Sequence, residues 1–247
     1  MFDHFLNGVL PIFSIGILGF FLGKRQIFTF EAAMILNKFV MLIAVPSLIF
    51  LLLSKAPVSE FNFKMLSGYF FTEITIYLAG FFIAKFIFHR ETKEALLIGL
   101  CISLTNHVLF VLPIAETLFG PEYAKPIISI IFMDGLILFA GTIILLDILE
   151  TKALTFSDTF KKIILNPPLV ALLAGLVFGL SRSEIPVGFE VFLNAIAVSA
   201  SPVLLFALGI ILSRPYKNAN LALPLTMTSI KLFIHPIFAW IIFTTAL

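Results

Sequence analysis

Apolar runs about the length of a membrane crossing alternate along this chain with short polar turns. A crossing helix takes about 20 mostly apolar residues. On that ruler the runs fall at residues 5–23, 33–53, 65–88, 95–118, 126–147, 161–180, 189–212 and 221–245, which predicts eight spans. The turns between them carry the expected punctuation, such as Gly23-Lys24-Arg25, His89-Arg90-Glu91, Gly120-Pro121-Glu122 and Arg214-Pro215-Tyr216. The longest connection, Leu149–Phe160, is polar. One span breaks the apolar pattern from within. Glu94–Gly120 holds Thr105-Asn106-His107 at its middle and Pro113 shortly after. A polar group left unsatisfied in hydrocarbon costs several kcal/mol, so irregular backbone survives there only beside protein or water. The triplet and proline therefore predict either a discontinuous helix at a binding site or a Pro-kinked helix whose Asn caps a neighbouring backbone.

The pattern also repeats. A shift of 156 residues superposes Pro11 on Pro167, Gly19 on Gly175, Gly23 on Gly179, Pro46 on Pro202 and Phe50 on Phe206. The strings GFFLG and AVPSLIF meet GLVFG and ASPVLLF under the same shift. Proline and glycine are the uncommon letters of this sequence, and they are the ones that align. The first repeat would occupy residues 1–150 with five spans, and the second, residues 151–247, would hold the next three. An odd number of crossings per repeat forces opposite orientations, so the repeat is read as inverted. The pairs Gly19/Gly23 and Gly175/Gly179 are small-xxx-small faces that let helices approach closely. Pro46 and Pro202 are read as kinks or hinges, and Asn166-Pro167-Pro168 as a late start or interruption of span six, with Pro11 doing the same in span one.

Composition agrees. A chain that is 60% hydrophobic and only 12% charged, with 30 Phe and a mean hydropathy of +1.13, has more apolar surface than a soluble core can hide. It is an all-α, polytopic protein whose first partner is the lipid bilayer. Counting Lys and Arg in alternate loops puts ten on one side (Lys24, Arg25, Lys85, Arg90, Lys93, Lys152, Lys161, Lys162, Arg214, Lys217). The other side has four, Lys55, Lys64, Lys125 and Arg182. The richer side is cytoplasmic, which leaves the N-terminus outside a plasma (inner) membrane. No basic n-region or A-x-A site accompanies the first apolar run, so it is expected to remain as span one. Scattered basic residues predict no nucleic-acid partner. The single cysteine, Cys101, gives neither a disulfide framework nor a thiolate metal site. His4, His89, His107 and His235 show no metal-ligand spacing, and no G-x-S-x-G, H-E-x-x-H or Walker A motif occurs. Enzyme chemistry and ATP-driven pumping are therefore not predicted.

Ionisable residues inside the spans are few, and each is a candidate because its burial is expensive. Glu73 lies midway along span three, Asp134 in span five and Lys231 in span eight, with His235 one turn beyond. A buried Glu is a natural proton carrier, and Lys231 would neutralise a carboxylate or hold an anionic substrate. The alternative is a buried Glu–Lys or Asp–Lys pair that only fixes packing. Lys38, Lys85 and Glu116 lie near span ends and can snorkel.

Taken in order, several of these stretches resemble the auxin efflux carrier family. They are LNKFVMLIAVPSLIF in span two, SLTNHVLFVLPIAETLFG in span four with the following Asp134, ILNPPLVALLAGLVFGL, ASPVLLFALGIIL and KLFIHP. The resemblance implies two inverted five-helix repeats with crossing broken helices, and permease activity towards small organic carboxylate anions by alternating access. By position, Asn106 and Pro113 match the family's crossover Asn and Pro, lining the substrate site and breaking the helix. His107 is a further site candidate, because a bulky His107-Val108-Leu109-Phe110-Val111-Leu112 stands where the family often has small residues. Glu73, Asp134 and Lys231 become charge-coupling candidates. No cofactor is implied beyond coupling to H+ or Na+. The mate of span four would fall at about residues 251–274, past Leu247, so the last two helices are expected to be missing. That leaves three alternatives: a non-transporting truncated carrier, a membrane subunit needing a partner (a homodimer mate or a chain supplying helices), or a relative of the bile-acid-type sodium symporters.

Overall fold

A computed structural model describes residues 2–56, 61–151, 164–181, 183–215 and 221–245, and every regular element among them is helical. Six helices are long and apolar enough to cross a membrane. We label them α2 (Phe30–Ser54), α3 (Phe63–Ile87), α4 (Thr92–Phe119), α5 (Pro126–Leu146), α7 (Val187–Leu212) and α8 (Ala222–Thr245). The first and sixth predicted spans correspond to α1 (Phe2–Lys24) and α6 (Pro167–Leu180). Residues 161–163 of predicted span six lie outside the described residues, as do Lys152, Lys161, Lys162, Arg182 and Lys217 of the charge count.

Local chemistry explains the ends. Asn62, Asn106 and Asn166 each turn a side-chain oxygen onto the backbone N–H three residues on (Met65, Leu109 and Leu169), satisfying a donor that the first helical turn leaves orphaned. Pro167 and Pro168 follow Asn166 where a missing N–H does no harm. Pro11, expected to interrupt span one, does not. It lies inside an unbroken α1, because a single proline removes one hydrogen bond and a helix can carry it as a kink. α7 departs the other way. The sequence predicts one span there, yet Val198 and Ser199 form a turn between Val187–Ala197 and Ala200–Leu212, just ahead of Pro202.

Five wide π turns interrupt the described helices, and three stand immediately before a proline. Val45, Leu112 and His235 each donate to the carbonyl five residues back, and Pro46, Pro113 and Pro236 come next. A proline cannot donate to the i−4 carbonyl and its ring pushes that carbonyl aside; widening the preceding turn absorbs the mismatch. Ser47 helps beside Pro46, its hydroxyl donating to the Ile43 carbonyl at 2.8 Å.

The helices group into two bodies. The first comprises Met1–Val58, Asn106–Ile128 and Ile164–Lys217; the second comprises Ser59–Thr105, Ser129–Ile163 and Asn218–Leu247. In the first body α1 lies along the Ala200–Leu212 half of α7, and α6 lies along the Val45–Ser54 half of α2. Glycine makes both approaches possible. A Cβ on Gly19 would strike the Phe206 carbonyl, and one on Gly175 would come within 2.9 Å of the Phe50 carbonyl. One turn along, a Cβ on Gly23 would meet Ile210 Cα at 2.9 Å, and one on Gly179 the Leu53 carbonyl at 2.7 Å. Backbone therefore packs on backbone, as the small-xxx-small pattern predicts.

In the second body α3 packs against the Thr92–Ser103 half of α4, with α8 and the end of α5 alongside. Gly80 and Gly99 close the α3–α4 contact. Ile76, Ala84, Ala95, Ile102, Leu223, Met227 and Ile230 form one apolar cluster, and Tyr77, Leu96, Leu100 and Leu138 another. Among these apolar residues the second body also buries Thr72, Glu73, Ser103, Ser129, Asp134 and Thr142.

Candidate functional site

Span four is broken where its polar triplet predicts. The first half, Thr92–Ser103, ends as Leu104 turns to an extended conformation (φ −56°, ψ 122°), and helix resumes at His107 after Asn106 (φ −78°, ψ 76°). Asn106 is the cap of the second half, accepting from the Leu109 N–H at 3.1 Å. Helix resuming after an exposed Asn presents N–H groups and the positive end of a helix dipole. Pro113 then follows the wide turn His107–Val111 and leaves the Leu109 carbonyl without its helical donor. The Ser201 hydroxyl of α7 takes that carbonyl at 2.8 Å.

The first half ends at carbonyls that no following turn can satisfy. Lys231 supplies the donors. Its Nζ lies 2.8 Å from the Cys101 oxygen and 2.6 Å from the Leu104 oxygen. A cation is favoured at a helix C-terminus, where the dipole presents negative charge.

Lys231 stands on the same face of α8 as His235, four residues on, and Tyr69 and Glu73 share a face of α3 by the same spacing. The two faces meet within the second body. His235 Nε2 lies 2.8 Å from Glu73 Oε1, with the glutamate 2% and the histidine 12% exposed, so this pair is almost cut off from solvent. Tyr69 donates to both oxygens of Asp134, at 2.8 and 3.0 Å. The two carboxylates act electrostatically on the Lys231 ammonium, and both act on the Tyr69 hydroxyl. Two acids, a lysine, a histidine and a phenol thus form one connected group. With both acids ionised and both bases protonated it is neutral, so one proton gained or lost changes its charge by one.

Of the residues chosen from sequence, Glu73, Asp134 and Lys231 come together in the second body, while Asn106, His107 and Pro113 belong to the restarted half of α4 in the first. Glu73 is paired with His235, and Lys231 reaches backbone carbonyls. Neither contact is the direct Glu–Lys pair weighed above. Tyr69 was missed. Its signal was the four-residue spacing to Glu73, which puts a phenol on the face of a buried acid. The wide turns were missed too, although they hold His107, Asp134 and Lys231, and such turns are frequent at functional sites.

Comparison with known proteins bears on the kind of protein that holds these residues. A Rhizobium meliloti (strain 1021) protein named "Putative malonate transporter" is 24% identical over 241 residues, spanning 94% of this chain and 74% of that protein. A Methanothermobacter thermautotrophicus (strain ATCC 29096 / DSM 1053 / JCM 10044 / NBRC 100330 / Delta H) protein named "Uncharacterized transporter" is 26% identical over 234 residues, spanning 94% and 76%. The sequence pattern of the membrane transport protein family matches residues 4–247. Broken span, Pro-associated wide turns and buried charges thus lie in a multi-pass membrane protein that is a transporter and not an enzyme. The chain belongs to the membrane transport protein family, that of the auxin efflux carriers its span motifs resemble.

Proposed function

We propose that this protein is a secondary transporter of small organic carboxylate anions, working by alternating access in a plasma (inner) membrane with its N-terminus outside. The observation that carries the reading is the capped break in α4. A helix that restarts at Asn106 inside an apolar span offers backbone N–H groups and a positive dipole end to a carboxylate. Asn106, His107 and Pro113 form the substrate-binding half-helix in this proposal. Glu73, Asp134 and Lys231, with His235 and Tyr69, balance or couple charge. The malonate name of one relative makes a dicarboxylate the first substrate to try.

The inverted repeat, 1–150 and 151–247, belongs to the same proposal. Under the 156-residue shift the contact of Gly19 with Phe206 becomes that of Gly175 with Phe50, so each glycine repeats its counterpart's contact with the roles of the repeats exchanged. The packing of α1 on α7 becomes that of α6 on α2 in the same way. A two-fold relation between the repeats accounts for both.

Uptake of radiolabelled malonate into proteoliposomes tests the function, with Asn106→Ala beside the unaltered protein. Losing the cap and its carboxylate-facing amide should lower uptake about tenfold or more, at about 1.5–3 kcal/mol per hydrogen bond to a charged group. Uptake equal in the variant removes Asn106 from the site. No flux with any small carboxylate removes the reading itself.

A further inference from the structure

We propose that the Lys231 ammonium is a tethered cation occupying the carbonyl site at the end of the first half of α4, so that no diffusible monovalent cation binds there in this protein. The inference deepens the transporter reading by addressing its coupling ion, but its test needs no transport.

A helix broken inside a membrane leaves carbonyls facing inward, and half-helix C-terminal ends with unwound carbonyls are where transporters coordinate Na+. A site of this kind needs converging carbonyl oxygens, the negative end of a helix dipole and nearby carboxylates to balance the ion. All three are present in the second body. The Cys101 and Leu104 oxygens converge, Thr92–Ser103 ends there, and Glu73 and Asp134 act electrostatically on the Lys231 ammonium. The position is held by Lys231 Nζ, at 2.8 and 2.6 Å from the two oxygens. These are charge-assisted hydrogen-bond lengths, and two donors of a compact ammonium meet two acceptors.

The placement follows from the fold around α8. Lys231 lies in the wide turn Ile230–Ile234 that Pro236 imposes, while Ile230, the residue before it, is buried with Ile102 of α4 in one apolar cluster. The anchor of the lysine is thus packed against the helix whose end it caps. His235 is occupied with Glu73, leaving the lysine as the cation at the carbonyls. An ammonium fixed to the chain cannot cross with a substrate or be exchanged for Na+.

Thermal unfolding of the purified full chain in NaCl against choline chloride at equal ionic strength tests the assignment. Unaltered protein should unfold at the same temperature in both salts. Lys231→Gln, which removes the charge and keeps a polar side chain, should open the carbonyls to Na+. At an ion concentration about tenfold above Kd its Tm should rise by about 3–6 °C in NaCl over choline. Lys231→Arg keeps the charge and should stay indifferent. A Na+-dependent rise in the unaltered protein overturns the proposal, as does a Lys231→Gln protein that is folded yet blind to Na+. If Lys231→Gln is recovered folded only from NaCl, the ion is replacing the ammonium, as proposed. Recovery in neither salt counts against it, because an ion able to fill the site would restore the fold. Malonate uptake measured separately can fail without touching any of these outcomes.

Discussion

The two bodies hold their helices together by opposite means. In the first, helix pairs close on glycine: Gly19, Gly23, Gly175, Gly179 and Gly209 each leave room that only a hydrogen can occupy. Among its described residues Ser47 is the only buried polar side chain. Among the described residues of the second, a glycine pair, Gly80 and Gly99, is joined by six buried polar or charged side chains. Lipid is as apolar as leucine, so burying apolar surface drives no helix association in a membrane. Backbone contact and hydrogen bonding are what remain, and this protein uses each in a different place. Backbone contact is intolerant of volume and indifferent to charge. A buried polar group is the reverse. The two bodies should therefore fail under different substitutions.

The largest effect should come from volume in the first body. Gly175→Leu drives four carbon atoms towards the Phe50 carbonyl and the Leu53 Cβ, where there is backbone and no flexible side-chain end to yield. Overpacking a core with room to adjust costs about 1–3 kcal/mol; here the neighbour is main chain, and we expect no monodisperse protein in size-exclusion chromatography. Gly188→Ala is the control, since a Cβ there meets nothing within 4 Å, and it should behave as unaltered protein. A well-behaved Gly175→Leu protein would break the comparison at its root.

Next in size is charge in the second body. His235→Ala leaves the Glu73 carboxylate, 2% exposed, without its imidazole. Leaving a buried carboxylate without its partner costs about 3–5 kcal/mol, a fall of about 10 °C in Tm for a chain of this length. His235→Gln keeps a donor and should lose less than half as much. Equal losses for the two would mean that packing, not the pair, is what His235 supplies.

Much of this contrast was legible in the sequence, and the illegible part has a physical cause. Gly19, Gly23, Gly175 and Gly179 announce their contacts because spacing along one helix fixes the face and small size fixes the role. The break at Asn106 was legible because a polar triplet has few ways to exist in an apolar span. Glu73, Asp134 and Lys231 were legible as costly residues, but their partners were not. His235, Tyr69 and the carbonyls of Cys101 and Leu104 come from other helices, and no periodicity within one helix encodes which helix lies opposite. Wide turns ahead of Pro46, Pro113 and Pro236 were hidden for another reason: proline announces a lost hydrogen bond but not whether the helix kinks, breaks or widens to absorb it.

A smaller effect sharpens the polar side of the comparison. Tyr69→Phe removes the hydroxyl that donates to both Asp134 oxygens and leaves the ring in place. Hydrogen bonds to charged groups contribute about 1.5–3 kcal/mol, so Tm should fall by about 5 °C, half the effect of His235→Ala. A fall as deep as that of His235→Ala would make the phenol the centre of the group and the histidine its accessory.

The smallest effect tests a polar contact that crosses between helices at the break within the glycine-packed body. Ser201 donates to Leu109, 92 residues away in sequence, at the carbonyl that Pro113 deprives of its helical donor. Ser201 is half-buried, so Ser201→Ala should cost about 1 kcal/mol, or about 2–4 °C in Tm. Pro113→Ala restores an N–H at position 113 and gives the Leu109 carbonyl a donor from its own helix. In that background Ser201→Ala should cost almost nothing, because the hydroxyl is then redundant. The difference between the two costs is the coupling energy of proline and serine, and it isolates the bond from the packing of either residue. Equal costs in both backgrounds would mean that Ser201 serves the turn at Ser199 and not the broken helix.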